Sequence, residues 1–399
     1  MKNCLKICST VLLTVCVVAS AFGQGDQGPI VIPRLGNTFG MRPVPVSIEG
    51  FTGEVAEAIK WDLYVQGYSF VPSTEAQYVI KGNNNGSITG SLTDRYAKKE
   101  LLSRNYPGGA RSSAHAFAED IVEAITGKPG ISALRGATAK IAFKVQPNGI
   151  GPGEIYVSDF DGRNAQAATA DKAIVAAPTW VPGKMAVCYN SYALEHNPYI
   201  LYHDLSTRER KAIARYGGSS ISPSVSPDGT KVAMVLSKGG QPNIYVANID
   251  GTGVHQLTSD VEDSSPCWSP DGMWIYFATK VSERRTLARV SIAGGDIQKI
   301  STTGAPNPSE PDISPDGKWI AFTSQSSSYF NICVVPIEGG TPVVVAAGED
   351  PSWAPNSRTL VCAKRTNERY TLSVLDVFTK QFKDIARISG SDSEPAWAK

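Results

Sequence analysis

One short phrase recurs along this chain and restricts what it can fold into. Its fullest form reads Pro266-Cys267-Trp268-Ser269-Pro270-Asp271-Gly272, and related versions stand at 178–183, 223–229, 311–317, 351–356 and 395–397. The second prolines, from Pro182 through Pro227, Pro270 and Pro315 to Pro355, lie 45, 43, 45 and 40 residues apart. A period of that size is one four-stranded propeller blade. After each turn comes an alternating apolar run, such as Lys231-Val232-Ala233-Met234 or Trp319-Ile320-Ala321-Phe322. A second run follows, often ending in a reversal such as Asp250-Gly251. Period-2 alternation between glycine-rich turns is the signature of strands in hairpins.

Counting the runs gives six. The first repeat, at Lys140, lacks an inner strand, whereas Pro395-Ala396-Trp397 is an inner strand with nothing after it. The final residues therefore complete the blade begun at Lys140, which removes exposed sheet edges. Within Ser-Pro-Asp-Gly, proline fixes the second turn position, aspartate tolerates the third and glycine accepts a left-handed exit. The phrase is thus a fold device, and its tryptophan should pack between blades. Cys188, Cys267, Cys333 and Cys362 each lie in or beside an apolar run and read as buried thiols.

Residues 24–135 do not follow the repeat. Val55, Ile59 and Leu63 mark an amphipathic helix over 54–67. Phe117, Ile121 and Ile125 mark another over 112–126, with a serine at its start and Gly127 as its stop. Strand-like runs stand at 70–72, 78–80 and 87–106, the last reversing near Asp94-Arg95-Tyr96. Residues 22–43 read as a mobile arm. Before it, a charged start, the apolar run 7–18 and small residues to Ala21 form an export signal cleaved near Ala21 or Gly23. The expected organisation is a signal peptide (1–23), an arm with a small α/β domain (24–135) and an all-β six-bladed β-propeller (136–399).

Charge is nearly balanced, with 38 Lys and Arg against 37 Asp and Glu, which excludes a basic nucleic-acid binder. No G-x-S-x-G elbow occurs, the four histidines share no ligand spacing, and no phosphate-cradling loop is present, so no catalytic residue, metal or cofactor is assigned. One pattern does stand out. Segments just before the inner strands carry Asp171; Asp260, Glu262 and Asp263; Glu310; Glu349 and Asp350; and Asp392 and Glu394. The remaining segment offers Arg215 and Tyr216. Such segments should line the channel mouth and make it electronegative, suited to a basic or polar partner surface or a cation.

Beside the propeller repeats, "STEAQYVIKG" at 73–82, "KKELLSRNYPG" at 98–108 and "AHAFAEDIVEAITGKPGI" at 114–131 resemble the TolB family over essentially the whole mature chain. The stretch before Tyr78 is shorter than the family's, and the arm has its own sequence. The resemblance implies a periplasmic, non-enzymatic and monomeric adaptor of the Tol–Pal system. Such an adaptor binds a Pal-like peptidoglycan-associated lipoprotein at the propeller mouth and a TolA-like inner-membrane protein through the N-terminal region. In this way it supports outer-membrane integrity and cell division. By position it places Arg215, Tyr216, Asp260, Glu262, Asp263, Thr303, Glu310, Glu349 and Asp350 at the mouth, to which the acidic pattern adds Asp392 and Glu394. The alternative is an exported propeller enzyme or carbohydrate-binding protein on the same scaffold.

Overall fold

Each repeat forms a four-stranded antiparallel sheet in the computed structural model, which describes residues 39–131, 140–193, 197–259, 262–281, 284–327, 329–385 and 390–399. We number the blades 1 to 6 by their inner strands: Val175–Trp180, Ser220–Val225, Glu262–Trp268, Pro308–Ile313, Glu349–Trp353 and Ser391–Trp397. The inner strand of blade 6 pairs with Lys140–Gln146, with Trp397 opposite Ile141, so the ring closes as expected. Each inner strand also contacts the next around the ring.

The Ser-Pro-Asp-Gly turns fold alike. In blade 3, Gly272 N donates to Ser269 O at 2.9 Å, and Trp274 N donates to Ser269 Oγ at 3.0 Å. Ser269 Oγ in turn donates to Asp271 Oδ1, which holds that carboxyl below the usual aspartate range. Gly229, Gly272 and Gly317 have φ of +70°, +69° and +70°, the left-handed exit that glycine takes without a steric penalty. The tryptophans bridge blades. The indole N–H of Trp180 donates to Ala396 O (3.0 Å), that of Trp268 to Ser224 O (2.8 Å) and that of Trp353 to Asp312 O (3.1 Å). All four cysteines named above are buried and free.

The N-terminal region is a five-stranded sheet of β1 (Val44–Glu49), β2 (Tyr68–Phe70), β3 (Tyr78–Asn83), β4 (Ile88–Asp94) and β5 (Lys99–Tyr106), in the order β2-β1-β3-β4-β5. Helices α1 (Gly53–Tyr64) and α2 (Ala110–Thr126) cover it, burying Val55, Ile59, Leu63, Phe117 and Ile121. Sequence periodicity missed β1, whose neighbours β2 and β3 pair with it in parallel across long connections that local alternation does not reveal. Helix α1 ends three residues before Gly67. Helix α2 starts at Ala110 with Gly109 as its N-cap, rather than with a capping serine.

This region packs on the propeller at blades 5 and 6. His115 Nδ1 lies 2.6 Å from Asp62 Oδ2 on α1, and its Nε2 lies 3.7 Å from Asp161 Oδ2 on blade 6, where Arg111 also pairs. Asn356 Nδ2 donates to Gln66 Oε1 at 3.4 Å, and Gln381 Nε2 donates to Tyr68 O at 3.1 Å. Gly67 is forced at this junction: a Cβ there would lie 2.1 Å from Arg358 Nη2. The export signal and most of the arm lie outside the described residues. The end of the arm is fixed, because Gly40 N and Met41 N donate to Phe378 O at 2.7 and 3.0 Å, and Phe39 meets the Trp319 ring edge-on at 5.1 Å.

Candidate partner-binding cavity

Every inner strand breaks its ladder at the residue before the first proline of its repeat phrase. Ala177, Ser222, Ser265, Glu310, Asp350 and Glu394 all have φ between +48° and +54°, and each pairing shifts register at or beside that residue. A bulge leaves one residue unpaired, and proline suits that place because it has no N–H to orphan. Left-handed backbone at non-glycine residues costs about 1–3 kcal/mol each, so the surrounding ring must hold it in place. Neighbouring blades supply part of that restraint. Glu394 Oε2 accepts Ala177 N, and Glu310 Oε2 accepts Asp350 N at 3.2 Å.

These bulges surround a central cavity of about 700 Å³ that extends to the turn prolines Pro182, Pro227, Pro270 and Pro315. The α/β region docks on the same side, since Asn356, its contact on blade 5, belongs to that blade's equivalent turn. The wall is asymmetric. Blades 4 to 6 contribute the acidic residues Glu310, Asp312, Glu349, Asp350 and Glu394, while the lining residues of blades 1 to 3 are uncharged, among them Ala177, Trp180, Asn190, Ser222 and Trp268; prolines come from both halves. Burial, compounded by Glu310, Glu394 and Glu349, pushes the Asp350 carboxyl well above its usual range. Burial also raises Glu349, against a hydrogen bond from Tyr370. Lys144 pairs with Glu394, and Thr323 Oγ1 donates to Glu310 Oε2 at 2.6 Å. Among the described lining residues, Lys399 is the one cation.

Of the residues expected at the mouth, Glu310, Glu349, Asp350 and Glu394 line this cavity, and the other described ones lie elsewhere. The inner strands begin several residues before their prolines, which draws upstream acids into the sheets. Asp263 and Asp392 are buried within strands and are not among the residues lining the cavity. Asp263 accepts Thr258 Oγ1, and burial raises its carboxyl. Glu262 is exposed and pairs with Lys280 at 3.6 Å, while Asp171 pairs with Arg210. Tyr216 lies under Lys238, whose Nζ is 4.8 Å from the ring centre. Arg215 and Thr303 are exposed in the segments leading into inner strands, and Asp260 lies outside the described residues.

Two charged lining residues were missed, Asp312 and Lys399. Aligned repeats place Thr179, Ser224, Cys267, Ser352 and Ala396 opposite Asp312, so it was the one charged residue in its column. Among the described residues, no group of three or more His, Cys, Asp or Glu side chains is placed to hold a metal ion.

A family model described as the TolB beta propeller domain matches residues 122–399. The chain is 32% identical over 160 residues to the Tol-Pal system protein TolB of Anaeromyxobacter sp. (strain K), covering 40% of this chain and 35% of that relative. It is 30% identical over 174 residues to the protein of the same name from Alcanivorax borkumensis, covering 41% and 39%. The matched stretches thus span little more than a third of those relatives' lengths. The crystal structure of TolB from Acinetobacter baumannii superposes with a TM-score of 0.79 over 91% of this chain and 98% of that one, at 22% identity. That likeness shows the shared fold: an α/β region followed by a six-bladed ring. With a family model matching well over half of its residues, the chain belongs to the TolB β-propeller family.

Proposed function

We propose that this chain is a non-enzymatic, periplasmic adaptor of the Tol–Pal envelope system. Its central cavity receives a Pal-like peptidoglycan-associated lipoprotein, and its N-terminal region engages a TolA-like inner-membrane protein. The names of the matched relatives support the system. The observation that carries the docking site is the one-sided cavity, with five acidic residues on one wall and uncharged residues on the other. Such a wall favours a basic surface, steering its approach and fixing its orientation. The α/β region sits on the cavity's side of the ring, so a protein seated there lies beside the region assigned to the second partner.

Capture from a Gram-negative envelope extract with residues 24–399 tests the assignment. Recovery of a peptidoglycan-linked lipoprotein, lost in the double variant Glu349→Gln and Asp350→Asn, is the expected result. Recovery of none, together with measurable glycan hydrolysis or glycan binding, overturns it.

A further inference from the structure

Lys399 follows the inner strand of blade 6, yet its side chain bypasses blade 5 and ends on blade 4. Its Nζ donates to Asp312 Oδ1 and Oδ2 at 2.6 and 2.7 Å and lies 3.4 Å from Ile313 O. Asp312 Oδ2 also accepts Trp353 N at 2.7 Å, which holds the carboxylate in place against blade 5. The ammonium therefore sits on a preorganised acceptor in the cavity wall, on the half that carries the other four carboxyl groups. The side chain is one-third exposed, and an ion pair in that setting is worth only about 1 kcal/mol, so an incoming cation can displace it.

We infer that Lys399 is a built-in competitor for the cavity: its ammonium occupies the place on Asp312 that a lysine or arginine side chain of the docking protein takes. The inference rests on the partner-docking assignment above and adds the chemistry of the anchor. A carboxylate already aligned for a charged donor accepts ammonium or guanidinium alike. The prolines with Trp180 and Trp268 opposite provide apolar surface for the stem of such a side chain. Displacement of Lys399 also unties blade 6 from blade 4, so docking removes one internal strap as it forms an intermolecular one.

The test is fluorescence anisotropy of a labelled pentalysine peptide with the full chain at low salt. Lys399→Met should bind about five-fold more tightly than the unsubstituted protein, the scale of one partly exposed ion pair. Lys399→Arg should match the unsubstituted protein, and Asp312→Asn should weaken binding in either background. Equal or weaker binding by Lys399→Met, or no binding by either protein, overturns the inference. A lowered melting temperature accompanying equal binding assigns Lys399 the role of a strut alone. The lipoprotein capture is read in parallel. Equal capture by Lys399→Met leaves the docking assignment standing and the competitor role refuted. Failed capture with a preserved pentalysine difference does the reverse.

Discussion

The two halves of the ring share a scaffold and differ in what they show the cavity. Blades 1 to 3 place Ala177, Ser222 and Ser265 at their left-handed bulge positions, and blades 4 to 6 place Glu310, Asp350 and Glu394 there. The φ angles agree within a few degrees, so the carboxyl groups are not required by the bulge itself. Two of them do serve as acceptors for a neighbouring blade's bulge N–H. Asp350 has no such excuse, since burial beside Glu310, Glu394 and Glu349 holds its carboxyl well above the usual aspartate range. Groups held in such a state cost stability and concentrate where function needs them. The difference teaches that the closing half of the propeller carries both the ring's seam and its charge.

Substitutions can break this comparison at several depths. The largest effect belongs to Trp353, which is fully buried between blades 4 and 5. Trp353→Ala should cost about 3–5 kcal/mol in chemical denaturation. Trp180→Ala and Trp268→Ala, at rim positions 7% exposed, should cost less. An equal loss from all three would erase the distinction between the halves.

Turn glycines supply the control. Gly272 in blade 3 and Gly317 in blade 4 have the same left-handed φ, so Gly272→Ala and Gly317→Ala should each cost about 1–2 kcal/mol. Both should leave partner affinity unchanged, and a clear inequality between them would show that the turns are not equivalent.

Asp350→Asn gives the smallest shift, with the opposite sign. A carboxyl whose pKa is raised on folding contributes stability that is present below its ordinary value near 3.8 and lost as pH rises. The variant should therefore melt a few degrees above the unsubstituted protein at neutral pH, with the gap closing as pH falls toward 4. A gap that widens on acidification would reverse the assignment of Asp350 as a destabilised carboxyl.

Much of the fold was legible because blade repeats carry their turn chemistry in sequence: proline, aspartate and glycine each have a single mechanical task. The seam was legible for the same reason, as Pro395-Ala396-Trp397 lacks a turn and Lys140 lacks an inner strand. The extent of the inner strands was not legible. A proline in mid-strand normally marks an edge or an end, whereas here it marks a bulge within a strand that began residues earlier. The longer strands put Asp263 and Asp392 inside the sheets rather than in the segments before them, and Asp312, which follows its proline, drew no attention. Lys399 could not be placed at all, because its partner lies two blades away across the channel. In the N-terminal region the helices announced themselves by period. Strand β1, with Pro45 inside it and parallel partners on both sides, did not.

The most direct measurement is calorimetric titration of the captured lipoprotein against two double variants at two salt concentrations. One variant is Glu349→Gln with Asp350→Asn, on the charged wall, and the other is Ser222→Ala with Ser265→Ala, on the neutral wall. The charged-wall variant should lose about ten-fold in affinity and part of its salt dependence, the rest staying with Glu310, Asp312 and Glu394, while the neutral-wall variant changes less than about two-fold. Equal losses from both walls, or a loss confined to the neutral wall, would contradict the claim that partner docking depends on the closing half of the ring.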